Sequence, residues 1–166
     1  ETGRVVLVGA AAFADSLYPH VAFRPVMEVR LAVPPADVEP LAAWLRRAEF
    51  RPAEDVRDPA GAARVLSDTR TTLLLHGALL PSAAEHAALI DRSLPVRAFG
   101  PSVRRLDLED ALLIQVAVMA RCGFEVPVLE FLDLRELLLG APALGGPYSR
   151  PLEPEAVASR SRAWGL

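Results

Sequence analysis

A chain of 166 residues with 52% hydrophobic side chains can bury one sizeable core and is too short for two large independent domains. Its formal charge of -3 and pI near 5.6 exclude broad electrostatic binding to nucleic acid or to an anionic membrane surface, because neutralising phosphates needs concentrated positive charge. All 18 basic residues are arginines, which reflects a composition biased toward Ala, Arg, Pro and Leu and removes any lysine-based catalysis.

Cys122 is the single cysteine, so there is no intrachain disulfide, and a reducing cytoplasm is the simple expectation. No apolar stretch approaches the roughly 20 residues needed to span a bilayer. Residues 5–14 have the length of a signal-peptide core, and Ala12-Phe13-Ala14 resembles a cleavage site. A basic leader is almost absent, so the run is read as part of the fold, with Glu1-Thr2-Gly3 as a processing remnant.

Residues 4–8 form an apolar, β-branched run, followed by Gly9 and the Ala-rich residues 10–17, which reads as strand, tight turn, helix. A glycine there lets the backbone turn sharply and frees the first helical N–H groups to face an anion. Gly9 and Ala10 are therefore candidate substrate-binding positions. Residues 26–33 have a strand pattern in which Glu28 and Arg30, two apart, project from one face. In nucleotidyl transfer that geometry normally carries two carboxylates that share divalent ions. Here the second position is an arginine.

Pro34-Pro35-Ala36-Asp37 reads as a turn and a helix cap; Val38, Leu41, Ala42 and Leu45 then recur at helical spacing, with Trp44 as a packing residue. Residues 51–61 read as an exposed connection. Residues 63–67 and 71–76 read as a hairpin ending at His76, for which a hydrogen-bonded strand-end histidine competes with a substrate contact. Residues 83–90 suit a short helix with His86 on its surface, and 97–105 hold a Gly100-Pro101 turn between two extended pieces. Asp107 caps an apolar helix over 108–121, and Pro127 starts another that runs to 139 before Gly140, an antiparallel helical hairpin. Asp133, Arg135 and Glu136 read as its solvated face. The tail from 141 is irregular, with a last helical turn over 154–162. There is no internal repeat and no Cys/His cluster with metal-ligand spacing.

Gly9-Ala10-Ala11, Tyr18-Pro19, Arg24-Pro25 and the Glu28-Val29-Arg30 strand resemble the uncharacterised nucleotidyltransferases of the polymerase-β-like superfamily, in which an Asp-x-Asp pair stands at the last of these. Later segments are similar too: Leu74-Leu75-His76 sits where Asp-Leu-His is usual, and Leu106-Asp107-Leu108-Glu109-Asp110 and Phe131-Leu132-Asp133-Leu134-Arg135 resemble the helical region. The resemblance covers roughly residues 4 to 140. It implies an α/β (α+β) fold: a nucleotidyltransferase-like mixed sheet with flanking helices over 1–105, then a helical extension and irregular tail over 106–166.

The resemblance also implies Gly9, Ala10, Arg24, Arg30 and His76 as substrate-binding residues and Glu28 as the retained catalytic metal ligand, with Mg²⁺ the cofactor of an active enzyme. Arg30 and Leu74 stand where the second and third carboxylates belong. Three functions follow. One is a catalytically impaired protein that binds a nucleotide, a phosphate ligand or a protein. Another is an active transferase that draws further carboxylates from Glu49, Asp55 or Asp58. The last is an interaction module that uses the helical hairpin to bind itself or a partner.

Overall fold

The computed structural model describes residues 4–53, 58, 61–96, 99–100, 102–140 and 148–166. Glu1-Thr2-Gly3, Asp55, Arg97, Pro101 and the first part of the tail, 141–147, lie outside the described residues. Among the described residues seven strands form one mixed sheet: β1 (Val5–Val8), β2 (Glu28–Ala32), β3 (Arg51–Pro52), β4 (Arg64–Ser67), β5 (Thr72–His76), β6 (Leu94–Pro95) and β7 (Val103–Arg105). Their order across the sheet is β3-β4-β5-β2-β1-β7-β6. The expected β4–β5 hairpin is present, antiparallel, with Val65 opposite Leu74. β2 runs antiparallel to β1 but parallel to β5, and so is flanked on both sides. Of the two extended pieces expected around Gly100, the first lies earlier in the chain, as β6 paired antiparallel with β7.

Among the described residues six α-helices flank the sheet: α1 (Ala10–Ser16), α2 (Val38–Arg47), α3 (Ala83–Arg92), α4 (Leu108–Arg121), α5 (Val128–Leu139) and α6 (Pro154–Trp164). α2 lays Ala42 and Leu45 over Leu66, Leu73 and Leu75 on one face of the sheet. Trp44, expected to pack, is instead 56% exposed, because its neighbours on α2 supply the buried stripe and it points round the helix from them. Asp37 makes no side-chain cap; a short 3-10 turn, Pro35–Asp37, leads into α2 instead.

The larger core cluster runs from Val6, Val8 and Ala32 through Phe13 to Leu112, Ile114, Tyr148 and Trp164. α4 lies at its centre, buried on nearly all sides, which accounts for a helix apolar almost throughout. Asp107 caps it by accepting from the Asp110 N–H at 2.8 Å. His86, expected at the surface, is buried: its Nδ1 accepts from Leu79 N at 3.2 Å and its Nε2 donates to Val33 O at 2.9 Å. Both partners belong to loops, so the ring ties these together and its tautomer is fixed by their polarity.

The C-terminal segment is fastened to α4 through charge. Arg150 grips Glu109 with two hydrogen bonds of 2.6 and 2.5 Å. Arg160 donates to Asp107 at 2.7 Å and to the buried Asp110 at 2.9 Å, and Arg92 of α3 reaches Asp110 as well. Trp164, buried, donates from Nε1 to Glu85 at 3.2 Å. The last helical turn expected from sequence is thus an 11-residue helix with a defined seat.

Candidate functional site

β1 ends at Val8, directly opposite Arg30 on β2. Gly9 then turns the chain into α1 with φ 66°, a left-handed angle that suits glycine; a Cβ there would meet nothing within 4 Å, so the angle rather than crowding selects the residue. Its carbonyl accepts from Ala12 N and Phe13 N at 2.9 and 3.1 Å, which starts the helix. On the other flank Arg30 lies beside Leu74, and Ala32 beside His76. Side chains alternate along strands, so Glu28, Arg30, Leu74 and His76 share one face of the sheet.

A cavity of about 380 Å³ opens on this face. Val8, Glu28 and Arg30 line it from the strands and Ala10 from the start of α1. Arg24, Pro25 and Met27 come from the approach to β2, and Pro127, Leu129 and Glu130 from the start of α5. The volume lies near the lower end of the range for small-molecule sites. Gly9 and His76 are not on its wall. A broader hollow of about 750 Å³ sits at the far sheet edge among Arg46, Glu49, Arg51 and Asp68, so Glu49 is no partner for Glu28.

Within the site one chain of charges runs inward. Glu28 Oε1 meets Arg30 Nη2 at 2.5 Å, and Asp58 Oδ1 lies 3.8 Å from the same nitrogen. Asp58 Oδ2 accepts from Ala62 N at 2.8 Å and lies 3.5 Å from His76 Nε2. Glu28 is partly exposed, whereas the Asp58 and His76 side chains are 2% and 0% exposed. Neither His76 ring nitrogen has a hydrogen-bond partner, and neither does Arg30 Nε, so the hydrogen-bonded strand-end histidine expected from sequence is not what the fold builds. Burial pushes the His76 pKa down to about 4, against the pull of Asp58, which leaves a neutral imidazole at pH 7. Asp58 was one of three unplaced carboxylates in the sequence; no periodicity marks it, since it arrives on the connection before β4.

Arg24 has a different setting. Its Nε donates to both Asp133 oxygens at 3.0 and 2.9 Å, Nη1 to Pro25 O at 2.9 Å and Nη2 to Glu130 at 3.1 Å. Tyr18 OH donates to Asp133 at 2.7 Å, and Gln115 secures Glu130 at 2.5 Å. Burial disfavours the guanidinium, but Asp133 and Glu130 more than offset this and keep it firmly charged. Asp133 is fully buried and is no part of a solvated face. Arg24 therefore borders the cavity with its donors committed to α5 and to Pro25 O, a clasp between the approach to β2 and the helical hairpin.

Among the described residues the donor set does not fit a divalent cation. Glu28 is bound to a guanidinium, Leu74 offers no ligand atom, and among the described residues no three His, Cys, Asp or Glu side chains are grouped to hold a metal ion. None of the described helices is long and apolar enough to cross a membrane.

Two solved structures share the architecture. The chain aligns over 97% of its length with 85% of the solution structure of the antibiotic-resistance factor ANT(2'')-Ia, at 15% identity and a TM-score of 0.59. It aligns over 98% of its length with 87% of the crystal structure of ANT(2'')-Ia in complex with adenylyl-2''-tobramycin, at 14% identity and a TM-score of 0.61. At such identities the likeness is one of fold. No curated protein matches. The family model described as "Uncharacterised nucleotidyltransferase" matches residues 2–166, from one end of the described fold to the other, and the chain belongs to that family.

Proposed function

We propose that this is a nucleotidyltransferase-fold protein impaired in transfer chemistry, which holds one small nucleotide or phosphate ligand in the cavity beside Arg30. The observation that carries this reading is the Arg30 guanidinium, in contact with Glu28 and within 4 Å of Asp58, on the strand face where transfer needs shared acidic ligands. A fixed positive group there repels a magnesium ion and occupies the carboxylates that would bind it. It also presents N–H donors to an incoming phosphate without a metal as intermediary. The cavity's size supports a single ligand rather than a nucleoside triphosphate and an acceptor together. The adenylylated ligand of the structural neighbour supports a nucleotide as its class.

The test is incubation of the purified protein with labelled nucleoside triphosphates and Mg²⁺ or Mn²⁺. No label should enter the protein or a panel of small acceptors. Incorporation that disappears in Glu28→Ala would establish an active transferase and overturn the reading.

An interaction module is a second reading, favoured by α5, where Val128 is 70% and Leu139 57% exposed and Phe131 and Leu132 are also open. A stable assembly by light scattering, together with no nucleotide binding, would select it.

A further inference from the structure

His76 is fully buried with both ring nitrogens unsatisfied, and its Nε2 faces Asp58, whose other oxygen faces Arg30. A polar ring left unpaired in a core is costly, and such a group in a native fold marks a place built for something more than packing. The Arg30 guanidinium thus lies between the carboxylates of Glu28 and Asp58. An acidic residue at position 30 together with one divalent ion would bring to this place the same single positive charge that the guanidinium brings. The strand pairing places the position-30 side chain on the sheet face that carries Glu28 and His76.

We infer that Arg30 is the resident cation of this site, standing in for a divalent ion. Asp58, supplied by the connection before β4 rather than by β5, is the site's third acid, and His76 is its inner donor. The identity of residue 30 alone decides whether the cluster is closed by a guanidinium or by a metal. In the native protein the site is assembled without divalent ions. Once Arg30 is replaced by an acid, the new carboxylate and those of Glu28 and Asp58 beside it offer oxygen donors of the kind Mn²⁺ accepts. This inference rests on the proposed reading that the native site makes no use of a metal.

The experiment is Mn²⁺ binding by the full chain, read from the loss of the free-ion electron paramagnetic resonance signal, with melting temperature in parallel. Wild type should show no saturable site and no metal-dependent change in melting. Arg30→Asp should bind Mn²⁺ at least about tenfold more tightly than wild type, since one nearby positive charge is exchanged for a negative one. Its melting temperature should rise with Mn²⁺, and adding Asp58→Asn should abolish both effects.

Arg30→Gln, which removes the charge and keeps the length, should give a smaller gain. It keeps the test decisive where Arg30→Asp folds only with metal, a result that itself supports the assignment when circular dichroism shows Mn²⁺-dependent folding. No gain in either variant, or a gain indifferent to Asp58→Asn, would overturn the inference while leaving the proposed function standing. Tight Mn²⁺ binding by wild type would remove both.

Discussion

Arg24 and Arg30 lie six residues apart on the same approach to the cavity, yet their surroundings differ in completeness. Around Arg24 each carboxylate is answered: Asp133 receives Tyr18 and Arg24, and Glu130 receives Arg24 and Gln115. Around Arg30 one ion pair is short, the other is 3.8 Å long, and the chain ends on a histidine with no hydrogen bond. A saturated network specifies a fold and tolerates no change, whereas an unsaturated one keeps valences for a ligand. The two arginines are nearly equivalent as sequence and differ in how fully their donors are used.

Removing one partner of the saturated network should have the largest effect. Asp133→Ala leaves the Arg24 guanidinium buried beside Glu130 alone, and breaking a buried pair in this way typically costs about 3–5 kcal/mol. Urea unfolding at pH 7 measures it; a loss below about 1 kcal/mol would show that the clasp contributes little beyond its bland surface equivalent.

The unsaturated network should show itself through pH. His76 stays neutral in the fold down to about 4 but protonates near 6.5 when unfolded, so the unfolded chain gains a proton first as pH falls. Stability is therefore unaffected above the unfolded pKa and declines between roughly pH 6.5 and 4, by about 2 kcal/mol from pH 7 to pH 5. Subtracting the profile of His76→Gln from that of wild type isolates this slope; parallel profiles would mean that the ring is not buried neutral.

The smallest effect belongs to the outer end of the same network. Glu28 is partly exposed, so Glu28→Ala should change unfolding stability by less than about 1 kcal/mol despite its short contact with Arg30. A loss as large as that of Asp133→Ala would erase the contrast between the two regions.

What could be read from residues alone follows the same division. The Gly9 turn, the hairpin of β4 and β5 and the paired helices α4 and α5 are legible, because each is set by local periodicity, a cap or a turn residue. His86 and Asp133 read as surface groups yet are buried, since their partners lie far away in sequence: Val33 for one, Tyr18 and Arg24 for the other. The same holds for Asp58, which sits in a polar connection without period and gains its meaning from Arg30 and His76. That Glu28 and Arg30 share one face is legible, because a two-residue strand period is unforgiving. Propensity reports the chain's neighbours along the backbone and is silent on which charge another segment will deliver.

The arginine fastenings of α6 also decide how far this protein can be trimmed. A version ending before Arg150 would leave Glu109 without its guanidinium and Asp110 with Arg92 as its remaining arginine, both within the core at the start of α4. The helix at the centre of the molecule would then carry stranded acids at its first turn. The smallest autonomous piece therefore includes the last helix, however remote that helix is from the cavity.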